Sequence, residues 1–251
     1  MKNKSLIFIL LLTLFSSLTF SMAHPVTPML IKSLGLPSFM FGVLFAAMSI
    51  GNFIGSPLWG TLSDNKGRIK FLILGALGYG LSQLGFGYVT NPLIILLFRF
   101  TGGFFVVSYL TTSMAYVSDV TTKETRVKYV TYYAASNTIG SALGSLLGGI
   151  IGNNNYKTTF LVQFIFCIIL SVLVYLLLNE TITPSKGKIQ FKRKKNNTTT
   201  NFINKSLIPV FAVIILFFFT STSYNSTINY YIEDVLHLSS TFIGAFLAVA
   251  G

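Results

Sequence analysis

Long apolar stretches with few charges are the feature that most constrains this chain. A helix needs about 20 mostly apolar residues to cross the hydrocarbon core of a bilayer. The 251-residue chain contains seven such stretches, and an eighth begins near Ser240. They cover residues 5–31, 38–63, 69–89, 92–117, 127–151, 158–179 and 206–232. The sequence therefore predicts an all-α integral membrane protein with several crossings.

The composition excludes the main alternatives to a membrane protein. Only 10% of the residues are charged, whereas a soluble domain carries about 25%. A disordered chain would lack the apolar content seen here. A basic nucleic-acid-binding protein would carry Lys and Arg along an exposed face, but here they form short clusters between apolar stretches. We therefore expect the lipid bilayer as a partner and no nucleic acid.

The positions of Lys and Arg predict the orientation. With the N-terminus in the cytoplasm, most of the 18 basic residues fall on the cytoplasmic side, as the positive-inside rule requires. The one long polar stretch, 180–205, reads as a basic cytoplasmic linker that is either an ordinary loop or a lipid-binding segment. We expect a multi-pass protein of the cell (plasma) membrane with three regions: 1–179, 180–205 and 206–251.

The first span has a second interpretation. Residues 1–23 also resemble a signal peptide, with Lys2 and Lys4, an apolar run and a small-residue cleavage site. The apolar run continues to Ile31 past Pro25 and Pro28, which favours a retained helix with a kink. Cleavage would leave the orientation of the later spans unchanged.

A distinctive run, Gly-Thr-Leu-Ser-Asp-Asn-Lys-Gly-Arg-Ile-Lys, joins the second and third spans over residues 60–70. Gly60 would let neighbouring helices approach closely at the membrane surface. Asp64 would end its helix, and Gly67 would permit the tight turn before Arg68 starts the next helix. This run resembles the G-x-L-x-D-x-x-G-R-x-[KR] signature of the major facilitator superfamily, which stands between helices two and three.

Further motifs resemble the twelve-helix drug:proton antiporter branch of that superfamily. Arg99-Phe-Thr-Gly-Gly in the fourth span is similar to its R-x-x-x-G motif, and Asp119, Glu124 and Arg126 are similar to the D-x-x-x-x-E-x-R tail that follows. The run 140–149 resembles the antiporter motif G-x-x-x-G-P-x-x-G-G, with Ser145 in place of proline. Its helix-packing glycines are Gly140, Gly144, Gly148 and Gly149.

The resemblance implies a fold and its extent. We expect the N-terminal six-helix bundle of the superfamily, made of two inverted three-helix repeats, plus helix 7 and a truncated helix 8. Runs 51–60 and 140–149 share Gly, Gly, Ser, Leu and Gly at matching places. The two runs lie in spans of opposite direction, as equivalent helices of inverted repeats should.

The resemblance also implies a conformational latch. In relatives the loop arginine bridges to the acid that ends the fourth span, and the loop aspartate holds the opposite half. The matching residues here are Gly60, Asp64, Gly67, Arg68, Asp119 and Arg126. The alternative is that these are ordinary helix-end charges in solvent, where ion pairs are weak.

Polar residues inside the spans are candidates for a substrate cavity. Arg99 lies well within a span, where an arginine is costly unless it faces water or a partner, so it handles substrate or protons, or is paired for structure. Asn52, Asn137 and Asn225 are further candidates. Asn52 and Asn137, like Gln83 and Gln163, either line a cavity or bridge helices.

The predicted function is secondary transport, with efflux of drug-like or other small amphipathic compounds by alternating access. Protons are the implied coupling ion, although all six acids fall at span ends or in loops, so no carrier is obvious. The alternatives are an inactive or partner-dependent half-transporter that lacks its C-terminal half, and a metabolite or sugar facilitator. The spans contain no acid–base pair, nucleophile or metal-ligand set, so we expect no enzyme, cofactor or metal.

Overall fold

A computed structural model describes residues 2–182 and 208–250 as helices joined by short turns. The helices in these residues are α1 (Lys2–Ser21), α2 (Thr27–Ser33), α3 (Met40–Lys66), α4 (Ile69–Tyr88), α5 (Pro92–Val120), α6 (Lys123–Gly152), α7 (Tyr156–Leu177), α8 (Ile208–Asp234) and α9 (Ser240–Ala250). Six of them are long and apolar enough to cross a membrane: α1, α3, α4, α5, α6 and α7. The prediction of an all-α membrane protein is confirmed. From residue 183 onward, the predicted linker 180–205 lies outside the described residues.

The first predicted span, 5–31, forms two helices rather than one kinked helix. Helix α1 ends at Ser21 and α2 begins at Thr27. Pro25 has no N–H to donate into α1, and Pro28 sits in the first turn of α2, where a missing N–H leaves no bond unmade. The last carbonyl groups of α1 must therefore find donors elsewhere.

The six membrane helices pair as two inverted three-helix repeats. Helix α1 packs on α6, α3 packs on α5, and α4 packs on α7. The first helix of each repeat thus contacts the second helix of the other, and the two third helices contact each other. This exchange is the pattern expected for two units related by a two-fold axis, and it agrees with the predicted architecture.

Glycines at matching positions make the two equivalent contacts possible. A Cβ atom on Gly51 of α3 would lie 2.2 Å from the carbonyl oxygen of Phe100 in α5. A Cβ atom on Gly140 of α6 would lie 2.3 Å from the carbonyl oxygen of Leu14 in α1. These glycines are the first residues of the two similar runs, so the sequence similarity reflects the same backbone-to-backbone packing.

The loop before α9 resembles the loop before α3. Leu-Gly-Leu-Pro-Ser at 34–38 precedes α3, and Leu-His-Leu-Ser-Ser at 236–240 leads into α9. Gly35 has φ 62° and His237 has φ 52°, so both loops turn through the left-handed region at the same place. Helix α9 then packs on α6, where a Cβ on Gly244 would lie 2.5 Å from the carbonyl oxygen of Ser145.

Candidate functional site

The loop between α3 and α4 turns at Gly67, which has φ 101° and ψ 155°. This backbone region is accessible essentially only to glycine. Arg68 follows as the N-cap residue of α4. The turn therefore directs the Arg68 side chain back towards the end of α3 and the end of α5.

Arg68 collects three side-chain acceptors from two helices. Its Nη1 donates to Asp64 Oδ1 at 2.5 Å and to Ser63 Oγ at 2.9 Å, and its Nε donates to Asp119 Oδ2 at 2.9 Å. We call Ser63, Asp64, Arg68 and Asp119 the Arg68 cluster. It ties the end of α3, the start of α4 and the end of α5 together through charge-assisted bonds.

The electrostatics of the Arg68 cluster favour the charged guanidinium. Arg68 is 5% exposed, and this burial works to lower its pKa. The hydrogen bonds and negative charges of Asp119 and Asp64 outweigh burial, so the pKa of Arg68 is raised above its ordinary value. The resemblance implies that Asp64 contacts the opposite half of the transporter. In this structure Asp64 is paired with Arg68 instead.

Two residues of the predicted latch lie apart from the cluster. Arg126 is exposed and donates from Nη2 to the backbone oxygen of Ser118 at 3.2 Å. A Cβ atom on Gly60 would meet no atom within 4 Å among the described residues. The close helix approach expected at Gly60 is therefore absent from this part of the chain.

Glu180 also belongs to this region, although the sequence did not predict it. Its carboxylate accepts from the backbone N–H groups of Arg68 and Ile69, at 2.7 and 3.1 Å. The sequence places Glu180 at the start of a polar linker, where an acid is unremarkable. The one indication in the sequence that Glu180 could contact Arg68 is its position at the end of the sixth span, on the same side of the membrane.

The second candidate region surrounds Arg99, which is 2% exposed. Its Nη1 donates to Gln83 Oε1 at 3.3 Å, while its Nε and Nη2 have no hydrogen-bond partner among the described residues. The guanidinium carbon lies 4.5 Å from the ring centroid of Phe86 and 5.8 Å from that of Phe45. Aromatic faces thus replace the carboxylate that usually accompanies a buried arginine.

A directed chain of hydrogen bonds leads from Arg99 to the broken end of α1. Gln83 Nε2 donates to the Tyr79 hydroxyl at 2.6 Å, and that hydroxyl donates to the Phe20 carbonyl at 3.0 Å. Gln163 Nε2 donates to the Thr19 carbonyl at 2.7 Å. Two carbonyl groups near the end of α1, those of Thr19 and Phe20, thereby receive hydrogen bonds from other helices. Gln83 and Gln163 bridge helices here.

The three candidate asparagines differ in their surroundings. Asn137 accepts from Ser17 Oγ at 2.7 Å and lines a cavity of about 230 Å³ between α6 and α9, with Thr138, Ser141, Ala142 and Leu247. Asn52 is half-buried, and its Oδ1 has no partner among the described residues. The side chain of Asn225 lies outside the described part of the structure.

The glycines of the run 140–149 divide between two partners. Cβ atoms on Gly140 and Gly144 would lie 2.3 and 2.1 Å from carbonyl oxygens of α1, and a Cβ on Gly148 would lie 2.0 Å from the carbonyl oxygen of Met22, just after α1. A Cβ on Gly149 would instead lie 2.3 Å from the carbonyl oxygen of Ser240 in α9. Helix α6 continues through Ser145 from Lys123 to Gly152. The run therefore packs against α1 on one face and against α9 on the other.

These features define a polytopic helical membrane protein built from inverted three-helix repeats. The family model described as Major Facilitator Superfamily matches residues 9–251. The chain belongs to that superfamily.

The relatives that this chain resembles include a multidrug resistance protein and a quinolone resistance protein. Multidrug resistance protein 2 of Bacillus subtilis is 26% identical over 99% of this chain and 64% of its own length. Quinolone resistance protein NorA of Staphylococcus aureus is 29% identical over 44% of this chain and 29% of its own length. The chain spans less than two-thirds of the length of these relatives.

Solved structures show the same fold at low identity. A bacterial homologue of the human lysosomal transporter Spinster, inward-facing and unoccupied, matches 99% of this chain and 60% of its own, with a TM-score of 0.75 and 15% identity. The human organic anion transporter MFSD10 matches 99% of this chain and 69% of its own, with a TM-score of 0.73 and 18% identity.

Proposed function

We propose that the chain takes part in the efflux of small amphipathic compounds by alternating access. The observation that carries this proposal is the similarity to a multidrug resistance protein along 99% of the chain. In this proposal the Arg68 cluster is a conformational latch on the cytoplasmic side, the N-terminus is cytoplasmic, and the protein resides in the cell membrane. The latch opens and closes as one bundle rocks against the other.

Cavities beside α8 support an amphipathic substrate. One of about 410 Å³ is lined by Thr220, Ser223, Tyr224, Thr227, Ile228 and Tyr231. Another of about 400 Å³ lies between α8 and the start of α3, where Phe39, Phe41 and Tyr231 contribute aromatic rings. Aromatic surfaces with a few hydroxyl groups suit flat apolar compounds, including cations.

The roles of the polar residues inside the spans are part of the proposal. Arg99 supplies a positive charge within the N-terminal bundle that responds to substrate or proton binding. Asn52, Asn137 and Asn225 line the substrate path, and protons are the coupling ion. Gly140, Gly144, Gly148 and Gly149 keep α6 in register with its neighbours while the bundles move.

Ethidium efflux from cells that produce the chain tests the proposal. We expect efflux faster than in cells with an empty vector, and we expect a proton ionophore to abolish the difference because coupling requires the gradient. Efflux that persists with the ionophore would indicate a facilitator and contradict proton coupling. No efflux, with the chain present in the membrane, would contradict transport by this chain; co-production with the C-terminal half of a multidrug relative then tests the partner-dependent alternative.

A further inference from the structure

Glu180 provides the cap that the first turn of α4 lacks locally. The first N–H groups of a helix have no intrahelical partners, and Arg68, the N-cap residue, caps none of them with its side chain. Glu180 Oε1 accepts from the Arg68 N–H at 2.7 Å and Oε2 accepts from the Ile69 N–H at 3.1 Å. A carboxylate at this end of a helix also interacts favourably with the helix dipole.

The turn at Gly67 is shaped around the same carboxylate. A Cβ atom on Gly67 would lie 2.5 Å from Glu180 Oε2. A side chain at this position would therefore both strain the backbone and displace the cap. Gly67 and Glu180 together fix the backbone of Arg68, and the backbone of Arg68 decides where its guanidinium points.

The residues on either side of Glu180 contact the C-terminal end of α5. Thr181 Oγ1 donates to Asp119 Oδ2 at 3.0 Å, and the same oxygen accepts from Arg68 Nε at 2.9 Å. The Tyr116 hydroxyl donates to the Asn179 carbonyl at 3.0 Å. The segment 179–181, where the chain leaves α7, thus bonds to the start of α4 and to the end of α5.

We propose that Glu180 is a positioning residue of the latch. Its carboxylate holds the Arg68 backbone so that the side chain reaches Asp64 and Asp119 together, and Thr181 secures Asp119 from the other side. Because Glu180 begins the connection between the two halves, movement of that connection away from α4 removes the cap and releases Arg68. The closed cluster and the position of segment 179–181 are therefore coupled.

This inference rests on the proposed latch, but its test requires no transport. Ser63 is 0% exposed and accepts a bond from Arg68 Nη1, so a cysteine at this position is covered while the cluster is closed. The rate at which a membrane-impermeant charged maleimide labels Ser63→Cys in inside-out vesicles reports opening. The natural Cys167 is 0% exposed inside the bundle, and its labelling reports unfolding.

We expect Glu180→Gln to accelerate labelling of the Ser63→Cys chain about tenfold, the factor that corresponds to about 1.4 kcal/mol. An amide cannot accept at both positions, so one α4 N–H loses its partner. Glu180→Asp should restore part of the protection because it keeps two acceptor oxygens. Glu124→Gln, which neutralises an exposed acid at the start of α6, is the matched control and should leave the rate unchanged.

Two results would overturn the inference: equal labelling rates in Glu180→Gln and Glu124→Gln, or parallel acceleration at Cys167, which would show a general loss of structure. A failure of the proposed function is distinguishable. In that case Glu180→Gln still exposes Ser63→Cys, while cells that produce the chain show no ethidium efflux.

Discussion

Replacement of Gly144 by valine is expected to prevent the six-helix bundle from assembling. A Cβ atom at this position would lie 2.1 Å from the Leu18 carbonyl oxygen and 2.7 Å from its carbonyl carbon. These are backbone atoms, so no side-chain rotation relieves the overlap, and α1 would have to move away from α6. Overpacking of side chains costs about 1–3 kcal/mol, and a clash with a helix backbone should exceed that range.

Two measurements test this prediction: size-exclusion chromatography of the purified protein in detergent, and thermal unfolding of the same sample. We expect Gly144→Val to give no monodisperse folded peak. Gly42→Val is the matched control, because a Cβ on Gly42 of α3 would meet no atom within 4 Å among the described residues. A Gly144→Val protein that melts at the parental temperature would contradict the packing of α1 on α6.

Replacement of Arg99 by methionine is expected to separate stability from transport. The guanidinium is buried with two nitrogen atoms unpaired in the described structure. Exchange of a poorly paired buried charge for an apolar side chain is often neutral or stabilising. We therefore expect an unchanged or higher melting temperature, together with a loss of ethidium efflux of about tenfold or more, the factor for a 1.4 kcal/mol loss.

Lys128→Met is the control for the Arg99 variant. Lys128 is exposed on α6, and its ammonium group lies 5.8 Å from the ring centroid of Tyr132, so its removal should change neither melting nor efflux beyond small effects. A large drop in the melting temperature of Arg99→Met would show that the arginine is structural. Full efflux in Arg99→Met would exclude a role of its charge in transport.

Helix positions were largely predictable because a bilayer imposes a length. Each predicted span from 38–63 to 158–179 overlaps one observed helix, with ends that differ by a few residues. The first span is the exception. Pro25 and Pro28 indicate a kinked helix in the sequence, whereas the structure breaks the helix between Ser21 and Thr27. A kink keeps most backbone bonds, whereas the complete break needs outside donors, and those come from Tyr79 and Gln163.

Side-chain partners were less predictable than helices. The Arg68–Asp119 pair joins residues 51 positions apart, and it was expected only because the two motifs resemble those of relatives in which the loop arginine bridges to that acid. Glu180 contacts Arg68 across 112 positions of sequence, and no local pattern encodes that distance. In a membrane protein, apolar residues cover every helix face, so periodicity does not tell which face of α5 encloses Arg99.

In the proposed function, small amphipathic compounds are transported through a cycle in which the Arg68–Asp119 pair forms and breaks. The most direct test is a double-mutant cycle of Arg68→Gln and Asp119→Asn, read as ethidium accumulation in inside-out vesicles. We predict accumulation with the parent chain, a loss of about tenfold in each single variant, and a loss in the double variant that is smaller than the product of the two, because each change removes the same Arg68–Asp119 pair. Accumulation no higher than in vesicles from cells with an empty vector would contradict transport by the chain. Losses that multiply in the double variant would contradict the role of the Arg68–Asp119 pair.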